Sequence, residues 1–371
     1  MSETSPSAET TVAAFDVRMT RFVDAAGTVL APLPAFAQDP EELRRMYRVM
    51  VETRAIDRKA VALQRTGQLG TYASCLGQEA IGTATGIAMH ADDVLIPAYR
   101  DYAAQFLRGV PAESTFLYWA GDERSMHFPE GTPSRHDFPF SVPIGTHIPQ
   151  AIGVAYAFRL RKQPRVAVAA CGDGATSRGD FYEAVSSAKV WNLPVVFLIS
   201  NNQWAISLPR ARQTGAQTLA QKAIAGGIPG EQVDGNDVIA TRHVLERALA
   251  AARAGEGPRV IEAVTYRLHD HTTADDARRY RAEDELEDAW TRCPIKRLRA
   301  CMATLGCWSV ADEEELEAQA AARAEAVAQA YFAVQPEMPQ AIFDSLYATL
   351  PTALGAQRAE VMTAPAPQTE H

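Results

Sequence analysis

The chain has 371 residues, 47% of them hydrophobic and 22% charged, with 36 Lys plus Arg against 45 Asp plus Glu for a formal charge of -9. At roughly 150 residues per domain this allows one large or a few smaller globular domains and excludes wholesale disorder. The acidic balance argues against a nucleic-acid partner, which needs a basic face, but leaves room for a local phosphate pocket.

No apolar run approaches the roughly 20 residues that cross a bilayer, so no membrane is expected. The start, MSETSPSAETT, lacks a signal-like apolar core and is too acidic for a transit peptide. Five cysteines are scattered without paired spacing, so neither a zinc site nor a disulfide framework is expected. These features read as a reduced, cytoplasmic protein.

Residues 1–38 are polar and Pro/Ala-rich and read as an extended arm with little to specify a core. From Asp39, apolar residues recur at helical spacing through Gln64, with Gly67 as the stop. QEAIGTATGIAM is a second helix, and 121–147 reads as a long functional loop. A small-residue helix over 146–162 leads to the strand RVAVAAC (165–171), the turn GDGATSRG and the helix DFYEAVSSAKVWN. LPVVFLIS is a buried strand ending at Asn201-Asn202. A helix near 238–254 and the strand RVIEAVTYR (259–267) follow. Alternating strands and helices predict an α/β fold, a parallel sheet flanked by helices. After 285 the chain turns helical, with Ser309 and Asp312 placed as a capping box. The expected organisation is an arm (1–38), an α/β domain (39–285), a C-terminal helical extension (286–355) and a flexible tail (356–371).

In parallel sheets ligands sit beyond the carboxyl ends of the strands. Gly172-Asp173-Gly174 and Asn201-Asn202 both fall there, and Asp173 precedes Asn202 by 29 residues, one strand–helix–strand crossover. A carboxylate and a carboxamide oxygen at neighbouring strand ends suit Mg²⁺, which takes few protein ligands plus phosphate oxygens. The glycines admit a diphosphate close to the backbone, and the helix start offers amide donors. A lone GDG equally fits a loop with a capping Asp. A dinucleotide turn is disfavoured because GDGATSRG breaks the G-x-G-x-x-G spacing.

GDG joined to NN resembles the thiamine diphosphate fingerprint. The stretches LQRTGQLGTYASCLGQEA, LIPAYRDY, IPQAIGVAYA, GDGATSRGDFYEA, NNQWAIS, TLAQKAIAGGIPGEQVDGND and YRLHDHTTADDARRYR resemble, in order, the alpha subunit of the thiamine-dependent 2-oxo acid dehydrogenases. GIPGEQVDGND is most similar to the bacterial two-subunit pyruvate enzyme, with the branched-chain enzyme a near relative. The resemblance implies a diphosphate-binding thiamine fold.

It also implies a set of roles. Mg²⁺ would be held by Asp173, Asn202 and the Trp204 carbonyl. Tyr99, Arg100, Val142, Ile144, Gly172, Gly174, Ala175 and His271 would contact the cofactor, with Ile144 the wedge that bends it. His271 and His127 would be the active-site histidines, and Arg267, Asp275 and Tyr280 would order the His271 loop. Ser141, Thr146 and His147 fall where some relatives bind K⁺. An unperturbed imidazole near pKa 6.5 suits His271 to proton transfer or to hydrogen-bonding a developing alkoxide.

Thiamine enzymes also need a carboxylate at the aminopyrimidine, and this chain offers no second domain to carry one. The resemblance resolves this with a beta subunit in an α2β2 heterotetramer. The other partners would be a 2-oxo acid substrate and the lipoyl domain of a dihydrolipoyl acyltransferase, which receives the acyl group. The expected function is that of a pyruvate dehydrogenase (acetyl-transferring) alpha subunit. A branched-chain alpha subunit, a non-catalytic cofactor-holding scaffold and a nicotinamide-dependent dehydrogenase are the alternatives.

Overall fold

The computed structural model describes residues 10–344 and 346–363. After β1 (Met19–Thr20) come α1 (Pro40–Arg65), α2 (Glu79–Ala88), β2 (Val94–Ile96), α3 (Tyr102–Leu107) and α4 (Ala112–Ala120). Then come α5 (Ile148–Leu160), β3 (Ala167–Gly172), α6 (Gly179–Val190) and β4 (Val195–Asn201). A small hairpin, β5 (Trp204–Ala205) and β6 (Leu208–Pro209), precedes α7 (Arg210–Gln213) and α8 (Lys222–Ala225). β7 (Gly230–Asp234), α9 (Val238–Arg253) and β8 (Arg259–Val264) complete the sheet, and α10 (Glu283–Thr291), α11 (Pro294–Thr304), α12 (Val310–Ala333), α13 (Ala341–Asp344) and α14 (Gly355–Thr363) follow.

The sheet has the order β1-β7-β8-β4-β3-β2, and each of its pairs is parallel. The fold is therefore α/β with a parallel sheet flanked by helices, as the alternation predicts. Side chains alternate across the pleat. Val168, Ala170, Val196 and Leu198 pack with α1, α2, α9 and α11 on one face. Ala167, Ala169, Cys171, Val195, Phe197 and Ile199 pack with α5 and α6 on the other. Near-continuous apolar runs are what a strand buried on both faces requires.

Helix ends follow local chemistry. The Asp39 carboxylate accepts from the Glu41 amide at 2.9 Å, with Pro40 at the first helical position. Gly67, at φ +75°, reverses the chain after α1. The Ser309–Asp312 capping box is present, with Ser309 N donating to Asp312 at 2.8 Å and Asp312 N to Ser309 Oγ at 3.2 Å.

Three expectations are corrected. The arm does contribute to the core: β1 adds an edge strand beside β7, and Val23 is buried. The cause is Asp237, whose carboxylate accepts from the amides of Phe22 and Val23 at 2.8 Å while capping α9 through Ile239 and Ala240. Second, no boundary falls at 285. Contacts divide the chain into Met1–Ala328 and Gln329–His371, because Cys293, Ile295, Leu298, Met302 and Leu316 complete the apolar layer over α1 and α2. Third, the expected tail over 356–371 contains α14, and 364–371 lie outside the described residues. The strand 259–267 stops at Val264 because the Thr265 amide donates to Asn201 O and the Arg267 amide to Asn202 O. That turn carries the chain across the end of β4.

Candidate active site

The register β3–β4 pairs Cys171 with Ile199 and Gly172 with Ser200. The residues that follow, Asp173 and Asn202, therefore emerge from neighbouring strand ends. Both line a cavity of about 200 Å³, together with Tyr99, Arg100, Ile144, Gly172, Gly174, Ala175, Trp204 and His271. Ser141 and His147 also reach it, as do Gln78 and Asp101, which the sequence does not single out.

Asp173 is 1% exposed. Among the described residues no Lys or Arg lies within ion-pair distance of its carboxylate, and its side-chain partner is the Gln213 amide at 2.5 Å. Burial pushes its carboxyl up from the ordinary value. It does not cap the following turn; there its backbone carbonyl accepts from Thr176 Oγ1 at 2.8 Å. The capping reading of GDG thus finds no support in the geometry. A buried anion without a counter-charge is costly, and a cation at this point would neutralise it. Asn202 offers its carboxamide to the same cavity. Its Oδ1 accepts from the Trp204 amide at 3.2 Å and its Nδ2 donates to Gln78 at 3.2 Å. The Gln78 Nε2 is itself buried without a partner.

Gly174 is fixed by space: a Cβ there would stand 2.8 Å from the Ala205 Cβ. Gly172 has nothing within 4 Å of such a Cβ and keeps the cavity floor open. No group of three or more His, Cys, Asp or Glu could hold a metal among the described residues. The donor set here, one carboxylate and one carboxamide, suits a hard cation that completes its shell with phosphate oxygens and water. The residues present therefore fit a Mg²⁺–diphosphate group.

His271 is held by two guanidiniums. Arg100 Nη2 donates to the His271 carbonyl at 2.6 Å and lies 3.1 Å from Nδ1, while Arg267 Nη1 lies 3.4 Å from the same nitrogen. Guanidinium only donates, so Nδ1 is the acceptor and the proton sits on Nε2. Burial, then Arg100, then Arg267 push the imidazole down to about 3. Of the two roles open to His271 in the sequence, hydrogen-bond donation by a neutral ring fits and protonated-acid chemistry does not. The loop is more tightly braced than its polar sequence suggests. The His271 amide donates to Asp275 at 2.8 Å, Arg267 Nη2 to the Tyr280 hydroxyl at 2.7 Å, and that hydroxyl to Asp275. Arg100 also donates to the Ser74 carbonyl, so it braces the His271 loop as well as lining the cavity.

Other expected residues are placed differently. Val142 and Ile144 are both 42% exposed, and only Ile144 lines the cavity. His127 is exposed and is not among the residues lining the cavity. Ser141 Oγ and Thr146 Oγ1 stand 3.5 Å apart, but the buried His147 ring turns inward, with Nε2 2.7 Å from Ala170 O. The Ser141, Thr146 and His147 side chains thus do not converge as a ligand set. Gln213 left no signal, since it meets Asp173 only because α7 folds back over the turn. Gln78 lies in the quoted stretch LGQEA but carries no titratable group.

Residues 47–339 match the family described as the dehydrogenase E1 component. The chain belongs to that family. It is 41% identical over 347 residues to a 3-methyl-2-oxobutanoate dehydrogenase subunit alpha of Mycobacterium tuberculosis, covering 93% of this chain and 94% of that one. It is 38% identical over 318 residues to the pyruvate dehydrogenase E1 component subunit alpha of Staphylococcus aureus, covering 85% of each, and equally so to that of Staphylococcus epidermidis. The chain is thus a 2-oxo acid dehydrogenase chain of the alpha type, an oxidoreductase component. Among the described residues no helix is long and apolar enough to cross a membrane.

Proposed function

We propose that this chain is the alpha subunit of a pyruvate dehydrogenase (acetyl-transferring) and holds thiamine diphosphate through Mg²⁺. The supporting observation is the buried, uncompensated Asp173 carboxylate beside Asn202 at adjoining strand ends. Asp173, Asn202 and the Trp204 carbonyl would hold the ion, and Tyr99, Arg100 and the 172–175 backbone would face the diphosphate. When bound, the cofactor supplies the carbon nucleophile and electron sink for decarboxylation of the 2-oxo acid.

This chain's own residues bind, orient and donate. Arg100 and Arg267 keep His271 neutral with its proton at Nε2, available to a developing oxyanion. Ile144 would support the bend in the cofactor and His127 would reach the site from its loop. A beta subunit in an α2β2 assembly would supply the missing carboxylate, and a lipoyl domain would carry the acyl group away. The names of the relatives, which are alpha subunits, support the partnership. A cytoplasmic setting accords with the sequence start.

Pyruvate is favoured by the GIPGEQVDGND stretch. A second reading, 3-methyl-2-oxobutanoate, is favoured by the 41% identity over nearly the whole chain. The test is to co-purify the chain with its beta subunit and compare kcat/KM for the two acids. Higher efficiency on the branched acid transfers the assignment. No turnover of either, with thiamine diphosphate still bound, makes the chain a scaffold. Binding of NAD without thiamine diphosphate overturns the cofactor.

A further inference from the structure

A second cavity, of about 510 Å³, opens beyond the carboxyl ends of β1, β7 and β8 on the same edge of the sheet. Arginines from four separate segments line it: Arg21 after β1, Arg210 at the start of α7, Arg292 just after α10 and Arg297 in α11. The opposing carboxylates in the lining are Asp234 and Glu285. Asp234 is already engaged, by Arg21 at 2.6 Å and by the buried Arg297 at 2.7 Å. Arg292 pairs with Asp288, 67% exposed, at 2.5 Å. Arg210 has no carboxylate within 4 Å among the described residues; its Nη2 donates to the Ala216 carbonyl at 2.8 Å. The lining is thus cationic, and the volume lies in the range of small-molecule sites. Planar guanidiniums match phosphate oxygens.

We propose that this cavity binds a small phosphate-bearing metabolite, and that its occupancy adjusts the grip on Asp173 through α7. α7 is four residues long and has Arg210 at one end and Gln213 at the other. Gln213 donates to Asp173, and its backbone carbonyl accepts from Ser177 Oγ at 3.2 Å. An anion that draws Arg210 into the second cavity pulls on the segment that holds the Asp173 turn. Such coupling is reciprocal: the metabolite shifts cofactor affinity by the factor by which the cofactor shifts the metabolite's. The coupling rests on the cofactor reading above, whereas the binding site does not.

The experiment is calorimetric titration of ADP, and separately of inorganic phosphate, into the enzyme assembled with its beta subunit and saturated with thiamine diphosphate and Mg²⁺. Filling the first site removes it as a phosphate sink. Saturable, salt-sensitive ADP binding, weakened about tenfold or more by Arg292→Glu or Arg21→Ala, is the expected result. Cofactor titrations with and without ADP should differ several-fold. The site is overturned if millimolar ADP does not bind the assembled enzyme, or if it binds the Arg292→Glu and Arg21→Ala enzymes unchanged. The coupling is overturned if ADP binds and cofactor affinity does not move. Failure of the cofactor reading looks different, because the thiamine diphosphate titrations are then flat while ADP still binds.

Discussion

Asp173→Asn should pull stability and cofactor binding in opposite directions. The wild-type carboxylate is 1% exposed and meets one amide donor, Gln213, at 2.5 Å. An asparagine carboxamide is nearly isosteric and can offer its oxygen to the same amide, so the substitution removes charge and little else. Relieving a buried charge kept for function should stabilise the metal-free chain by about 1–2 kcal/mol. Losing the anionic partner of a buried cation costs about 3–5 kcal/mol, or roughly 10²- to 10⁴-fold in Mg²⁺-dependent cofactor affinity.

The pH dependence has a definite sign. Burial holds the Asp173 carboxyl above its ordinary value of 3.8, so the wild-type deficit is full above the raised value. It disappears as the pH falls below the ordinary one. Urea unfolding at several pH values gives the first quantity, and titration of thiamine diphosphate at fixed Mg²⁺ gives the second. A variant that is less stable yet binds the cofactor normally would show that the carboxylate is structural, and would refute the argument.

His271→Ala should lower kcat for lipoyl acylation about 10²- to 10³-fold, the effect of removing one preorganised donor, with cofactor affinity changed far less; an acid limb near pH 6.5 that vanishes in the variant would contradict the neutral-donor role. Gly174→Ala places a methyl 2.8 Å from Ala205 Cβ and should cost about 1–3 kcal/mol of stability and weaken the cofactor, both read in one thermal-shift series with and without it. Lys222, buried, donates to Thr176 O at 2.7 Å and Oγ1 at 2.9 Å, and burial brings its ammonium down to about 8. Wild-type stability should therefore rise with pH between about 8 and 10.5, and Lys222→Met should flatten that slope while losing about 1–3 kcal/mol through the orphaned Thr176 acceptors.

The sheet core was legible because its information is local. RVAVAAC and LPVVFLIS are short, apolar and bounded by turn residues, and a crossover of one helix between them forces parallel neighbours. The position of Asp173 and Asn202 at adjacent strand ends follows from that alone. What the sequence left undecided rests on partners distant in the chain. Asp237 orders an arm that begins more than 200 residues earlier, and a polar arm carries no periodicity to announce it. Gln213 reaches Asp173 across 40 residues, and no spacing rule connects an amide in a short helix with a turn two elements before it. The protonation state of His271 was equally out of reach. Its residue type sets a pKa near 6.5, and only the tertiary approach of Arg100 and Arg267 within a desolvated pocket moves it to about 3. Periodicity and turn chemistry act between near neighbours and are written in the sequence. Electrostatic environment sums over whatever the fold brings within a few ångströms, and it exists only once the chain has closed.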